Sequence, residues 1–398
     1  MYIHSNRIYT PAGCIEGILH IQNGKIKEIL SKNANVTCDL DVQDKMILPG
    51  IIDTHNHGTM GYGLMGECQD TEKTVRGYLK GLASQGVTSC LPTAELPYFK
   101  AIAKIAKEEV DGAQPIGIHS EGPYLNRVGE KGIDTGHPDI DLAYIQKMID
   151  ESEGMLKLVA LAPELPLAKE AIEYLTSRHV RCAFAHSNCN YEEAMRSFSW
   201  GITVTTHTAN VMSGIHHRRM GGLGACMLSD EVFNELICDG LHVSNEMIRL
   251  MLRMKNDAYH KFMMVSDNVP MSGAPIGSYR MAMGNGDELI VTIDEKGYCL
   301  SDTGRLCGST LPVLSGVKNL VQNIGLPLEK VLLMCSKNPA MVYGANDKGS
   351  IEEGKDADLI VVDDQFRLFY TYSQGRCVYD SQSDKNIFNT DFLKEHAV

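Results

Sequence analysis

Eight short apolar runs, spaced along the middle of the chain with helical stretches between them, constrain its fold most: "MILPGIID", "GVTSCLPT", "PIGIHSEG", "LKLVALAPE", "RCAFAHS", "GITVTTHT", "NELICDGLH" and "KFMMVSD". Strands that alternate with helices argue for an α/β fold with a parallel sheet. The segment "DTEKTVRGYLKGLASQG" shows the pattern. Val75, Tyr78, Leu79, Leu82 and Ala83 share one helical face, Asp70 can cap its start, and Gly86 ends it. Eight such strands point to a closed (β/α)8 TIM-like barrel, with an open doubly wound sheet as the alternative.

The two ends of the chain read differently. "IYTPAG" and "HIQNGKIKEIL" flank turn signals, and Asn23-Gly24 is a strong hairpin cue. The last stretch, "KGSIEEGKDADLIVVDDQFRLFYTYSQGRCVYD", is equally β-rich. Chain ends commonly lie close together, so both are assigned to one small β-sandwich domain, residues 1–48 and 345–398. The barrel then occupies 49–344, with an inserted β-hairpin region at about 275–308.

Composition excludes several functions. The formal net charge of −13 disfavours nucleic acid or an anionic membrane as partner. No apolar stretch approaches the roughly 18 residues needed to span a bilayer. The 12 cysteines contain no CxxC pair, and the N-terminus lacks a basic region followed by an apolar one. That usage fits a reducing, cytoplasmic setting.

The polar residues at the ends of these runs are the candidate chemistry. In "DTHNHG", His55 and His57 stand two apart, and on a strand such residues face the same side. Alone, such a pair is more often structural. Glu121 ends the third run, His186 the fifth, His207 the sixth and Asp267 the eighth. Barrel enzymes place their catalytic groups at that end of the strands. Several imidazoles and two carboxylates on one rim suit one divalent metal ion or two, with zinc first and iron, manganese or cobalt as alternatives. After His57, Gly58, Gly61, Gly63 and Gly66 suggest either a mobile loop over the site or a series of tight turns.

The order of motifs carries a resemblance. "LPGIIDTHNHG" resembles the first-strand signature of the amidohydrolase superfamily. "HSEGPYLN", "AHS", "THTANVMSGIHHRRMGGLGA", "DGLHVS" and "SDNVPMSG" resemble, in sequence, the motifs of the N-acetylglucosamine-6-phosphate deacetylase family. "CGSTLPV" and "GSIEEGKDADLIVVD" resemble its late segments, so the match runs along nearly the whole chain. The resemblance implies Glu121, His186 and His207 as primary metal ligands and Asp267 as the catalytic carboxylate. Because both first-strand histidines are present, it also allows a second ion at His55 and His57. Many binuclear relatives bridge their metals with a carbamylated lysine after the fourth strand. "VALAPE" has none there, so the bridge falls to Glu121.

The activity implied is hydrolysis of the acetyl group of an N-acetylhexosamine 6-phosphate. The substrate is a small phosphorylated amino sugar. Arg218, in a Gly-rich loop with His216, His217 and Arg219, is a local basic cluster in an acidic chain. By resemblance, Asn210 and Arg218 contact phosphate and His242 touches the sugar. In the family that arginine can come from a neighbouring subunit, which implies a homodimer. Three positions depart from the family pattern. Val211 stands where alanine is usual, His137 lies two residues beyond the usual sugar-contacting histidine, and Asn268 replaces a small residue. They sit by the expected sugar pocket. The rival readings are the galactosamine epimer, another acylated sugar, a cyclic amide, and a catalytically silent phosphosugar-binding scaffold.

Overall fold

A computed structural model of the chain describes residues 1–126, 138–282 and 288–398. Its centre is a mixed α/β arrangement around a curled parallel sheet. Six strands run in sequence order: Ile118–Glu121, Leu156–Leu161, Arg181–Phe184, Ile202–Thr205, Phe233–Ile237 and Phe262–Val265. A second parallel sheet places Val87–Cys90 between Ile51–Asp53 and Gln114–Pro115. All eight expected runs therefore contain a strand, but two of them are split.

The first split lies in "MILPGIID". Met46–Pro49 pairs parallel to Tyr2–Thr10 and antiparallel to Leu359–Val362, while Ile51–Asp53 pairs with Val87–Cys90. Gly50 makes the transfer. A Cβ there would lie 2.1 Å from Thr88 Oγ1, so only glycine lets the backbones pass this closely. The second split lies in "PIGIHSEG". Gln114–Pro115 pairs with Val87–Cys90, and beyond Gly117 the strand Ile118–Glu121 pairs with Leu156–Leu161. Hydrogen bonds span the seam: Ile116 N–H donates to Cys90 O at 2.9 Å, and His119 N–H to Pro92 O at 3.1 Å.

The helices pack as their periodicity requires. Thr71–Ala83 starts at Asp70, whose carboxylate accepts from Lys73 N–H at 2.9 Å. It buries Val75, Tyr78, Leu79, Leu82 and Ala83. Each large side chain among them contributes about 1.5–3 kcal/mol by leaving water. Gly86, at φ +85°, then turns the chain into the next strand.

Both chain ends join one eight-stranded, hydrogen-bonded sheet: Arg376–Asp380, Leu368–Ser373, Leu359–Val362, Met46–Pro49, Tyr2–Thr10, Gly13–Gln22 and Lys25–Ser31 in order, with Leu40–Asp41 beside Tyr2–Thr10. The expected hairpin turns at Asn23 and Gly24, both at positive φ. Ile3, Ile8, Leu19, Ile26, Ile47, Leu359 and Val361 form a core under this sheet.

The region expected to hold an inserted hairpin carries three antiparallel strands, Gly277–Ala282, Glu288–Ile293 and Cys299–Ser301. The last helix, Thr390–His396, leaves the terminal sheet to pack here. Its Phe392 joins Tyr279, Val291 and Ile293 in one apolar cluster, and Val398 N–H donates to Ser278 O at 3.0 Å.

Candidate metal centre

The polar strand ends converge. The ladder of the first parallel strand stops at Asp53, two residues short of His55. The chain bends at Thr54 and His57, but Asn56 bridges Asn268 in parallel and His57 N–H donates to Asn268 O at 2.8 Å. His55 and His57 therefore still face one way, with their Nε2 atoms 3.3 Å apart.

Glu121 stands between two pairs of histidines. Its Oε2 lies 3.0 Å from His57 Nε2 and 3.5 Å from His55 Nε2. Its Oε1 lies 3.0 Å from His207 Nε2 and 3.1 Å from His186 Nε2. Each oxygen thus serves a different pair. Asp267 Oδ1 completes the first group at 3.4 Å from His57 Nε2 and 3.5 Å from His55 Nε2. His55, His57 and Asp267 form one donor set and Glu121, His186 and His207 another, with the ligand atoms of each set within 4.8 Å of one another. Asp267, expected as a catalytic carboxylate, also lies close enough to be a donor.

Three of these residues hold strained backbone. His186, His207 and Asp267 have φ of +44°, +29° and +52°. Such conformations are uncommon outside glycine and cost on the order of 1–3 kcal/mol each. Here they lie where strands give way to loops, at the rim where the donors meet.

The donor chemistry fits a divalent cation. Burial disfavours charge on His57, but the Asp267 and Glu121 carboxylates outweigh it and push the imidazole up to about 9. Burial likewise opposes charge on His55, yet Glu121 and Asp267 hold it well above its ordinary value. Burial would raise Glu121, but His55 and His186 bring it well below the usual carboxylate range. Asp267 is lowered too, against burial, by His55 and His57. Among the described residues no lysine or arginine pairs with either carboxylate. The pocket is buried and lined with carboxylate oxygens and imidazole nitrogens, which suits zinc-like ions.

The expected substrate residues are placed unevenly. Asn210 lies beside the donors, its side-chain amide donating to His207 O at 3.1 Å. Val211, at φ +49°, accepts from Ser187 N–H at 3.2 Å and so ties the loops after the fifth and sixth strands. His242 is held by Asp239, whose Oδ2 lies 2.7 Å from its Nδ1. Asp239 also accepts from the Leu241 and His242 amides. Arg218 is exposed at a turn closed by reciprocal 2.8 Å bonds between His216 and Arg219. His137 lies outside the described residues.

The glycine segment forms tight turns. Gly58–Thr59 pairs with Tyr62–Gly63, and Gly58 and Gly63 both pack on Pro270, where a Cβ at either would lie 2.7 Å from its Cγ.

Sequence reading missed Glu235 and Asp239. Glu235 is fully buried, accepts from Thr54 Oγ1 at 3.3 Å and lies 3.1 Å from His55 Nδ1. The available signal was an acid in the middle of an apolar strand, "FNELI". Asp53 was also passed over. It accepts from Ser266 Oγ at 2.6 Å and Asn56 Nδ2 at 3.1 Å, joining the first strand to the eighth.

The amidohydrolase family profile matches residues 46–392. The N-acetylglucosamine-6-phosphate deacetylase of Vibrio furnissii is 32% identical over 371 residues, covering 90% of each chain. The N-acetylgalactosamine-6-phosphate deacetylase of Escherichia coli O157:H7 is 29% identical over 388 residues, covering 94% of this chain and 98% of that one. The crystal structure of the N-acetylglucosamine-6-phosphate deacetylase of Pasteurella multocida superposes with a TM-score of 0.82 at 28% identity, covering 95% of this chain and 99% of that one.

Proposed function

The chain belongs to the amidohydrolase family, and from that premise we propose that it removes the acetyl group from an N-acetylhexosamine 6-phosphate. N-acetylglucosamine 6-phosphate is the first candidate, and the products are acetate and the amino sugar phosphate. The observation that carries this reading is Glu121 facing two histidine pairs with different oxygens.

Glu121, His186 and His207 would hold the primary ion, and His55 and His57 a second. Zinc is the first choice for both. A divalent ion so held would supply a nucleophile at neutral pH, by bringing the pKa of its water down to about 7, and would polarise the acyl carbonyl. Asp267 takes the proton from the attacking water as oxygen bonds to the acyl carbon. It then delivers that proton to the amine nitrogen as the C–N bond breaks. Without that proton the amine leaves poorly. Asn210 and Arg218 bind the phosphate, Arg218 from a partner subunit in a homodimer, which accords with its exposure. His242 and Val211 line the sugar pocket.

The eight parallel strands are read as a closed (β/α)8 barrel over 49–344, with the terminal sheet as a β-sandwich domain. Asp267 N–H bonding to His55 O at 2.9 Å, between the first and eighth strands, supports closure. The setting proposed is the cytoplasm. No helix among the described residues is long and apolar enough to cross a membrane.

The deciding experiment is acetate release from the two 6-phosphate epimers, side by side, by the metal-loaded protein. Faster release from the glucosamine compound supports the reading. Preference for the galactosamine epimer, which the relative from Escherichia coli makes the chief rival, would redirect it. No release from either would favour a silent phosphosugar-binding scaffold.

A further inference from the structure

Glu235 is a carboxylate that the reaction above does not use. It lies in the strand Phe233–Ile237 and has no exposed surface. A buried carboxylate is costly unless paired and hydrogen-bonded. Its partners are few. The Thr54 hydroxyl donates to Oε1 at 3.3 Å, and His55 Nδ1 lies 3.1 Å from Oε2. Among the described residues its only ion-pair partner is His55, itself fully buried.

This arrangement fixes His55. A carboxylate accepts from Nδ1–H, so in the neutral ring Nδ1 carries the hydrogen and Nε2 presents its lone pair. Nε2 is the atom that faces His57, Glu121 and Asp267. His207 differs. Its buried Nδ1 has no hydrogen-bond partner among the described residues. A carboxylate behind an imidazole raises its basicity and orients the ring toward a metal. Glu235 gives that support to His55, in the His55 and His57 set.

We propose that Glu235 is the positioning residue that builds the second metal position, acting through His55, so that the protein holds two ions. This rests on the metal-dependent reading above. Thr54 serves the same end by holding the other oxygen of Glu235.

The test is metal uptake. Apo wild type and Glu235→Gln are titrated with zinc alone in equilibrium dialysis, and ions per chain are counted by atomic spectroscopy. Wild type is expected to take up two ions. Glu235→Gln is expected to keep the first at unchanged affinity and to bind the second about 10–100-fold more weakly. A general loss of structure would weaken both, so selective loss of one separates positioning from folding. Equal binding of both ions by the variant, parallel weakening of both, or a wild type that takes only one ion overturns the proposal. If Glu235→Gln does not fold, Thr54→Val takes its place, with selective weakening of the second ion expected by a smaller factor and unchanged uptake overturning the proposal. Acetate release is measured on the same wild-type batch. Two ions without release would sink the deacetylase reading and leave Glu235 in place, whereas one ion with release would do the reverse.

Discussion

The terminal sheet and the strand-end rim both bury carboxylates, yet they settle the charge in opposite ways. In the terminal sheet, Lys348 Nζ lies 2.7 Å from Asp358 and 2.9 Å from Asp356, and Lys25 Nζ lies 2.7 Å from Asp356. The two carboxylates share the Lys348 ammonium, and Asp356 has Lys25 as well. In the rim, Glu121, Asp267 and Glu235 face imidazoles, which carry charge only when protonated. The first cluster is complete as folded. The second is complete only with protons or a cation. Buried charge is thus evidence of function when its counterion is missing from the chain, and evidence of architecture when it is present.

The sharpest way to break this contrast is to remove the bridging acid. Glu121→Gln should abolish stoichiometric zinc binding and lower turnover by at least about 10⁴-fold. Elemental analysis and acetate release check it, and a variant that keeps its metal would place the bridge elsewhere. Asp267→Asn should come next, with a loss of about 10²–10⁴-fold in kcat while the ion at Glu121, His186 and His207 stays bound. Near-normal turnover would remove Asp267 from proton transfer.

A change in the terminal sheet should affect stability and spare chemistry. Lys348→Met leaves Asp358 and Asp356 buried without their shared ammonium, at a cost of about 3–5 kcal/mol in denaturant unfolding. Activity per folded molecule should not change, and a fall in it would show that the two regions are coupled.

The smallest effect expected is in pH. Burial lowers the Lys348 pKa, but Asp358 and Asp356 more than offset this and raise it above 10.5. That contribution is full below the unfolded value and is lost as pH rises through the folded one. Burial raises Asp356, but Lys25 and Lys348 bring it below 3.8, so its contribution is present above that value and lost as pH falls. Asp358 is raised, by burial first, and blunts the acid loss. Apo-protein unfolding against pH should therefore show a broad plateau from about 4 to 10 from this network. A loss of stability as pH rises from about 6.5 through about 9 would point to His57 in the rim instead.

Much of the architecture was legible. The eight runs each yield a strand, and the helix Thr71–Ala83 has the cap and buried face that its spacing implies. What was not legible involves partners distant in sequence. Nothing local in "MILPGIID" says that Gly50 hands the chain from one sheet to another, because the reason is Thr88 against its backbone. Nor does "FNELI" reveal that Glu235 meets His55, 180 residues away. The last helix packs on the 277–301 sheet through Phe392, and its own sequence does not name that surface.

The amino-acid order determined which side chains end each strand, since strand periodicity and turn chemistry act over a few residues. It thereby supplied the list of candidate metal donors. Only the tertiary structure decided that Glu121 presents one oxygen to each histidine pair, that Asp267 lies within donor range, and that Glu235 stands behind His55. Coordination and buried charge depend on separations of a few ångströms between atoms far apart in the chain, and those separations exist only once the strands are packed side by side.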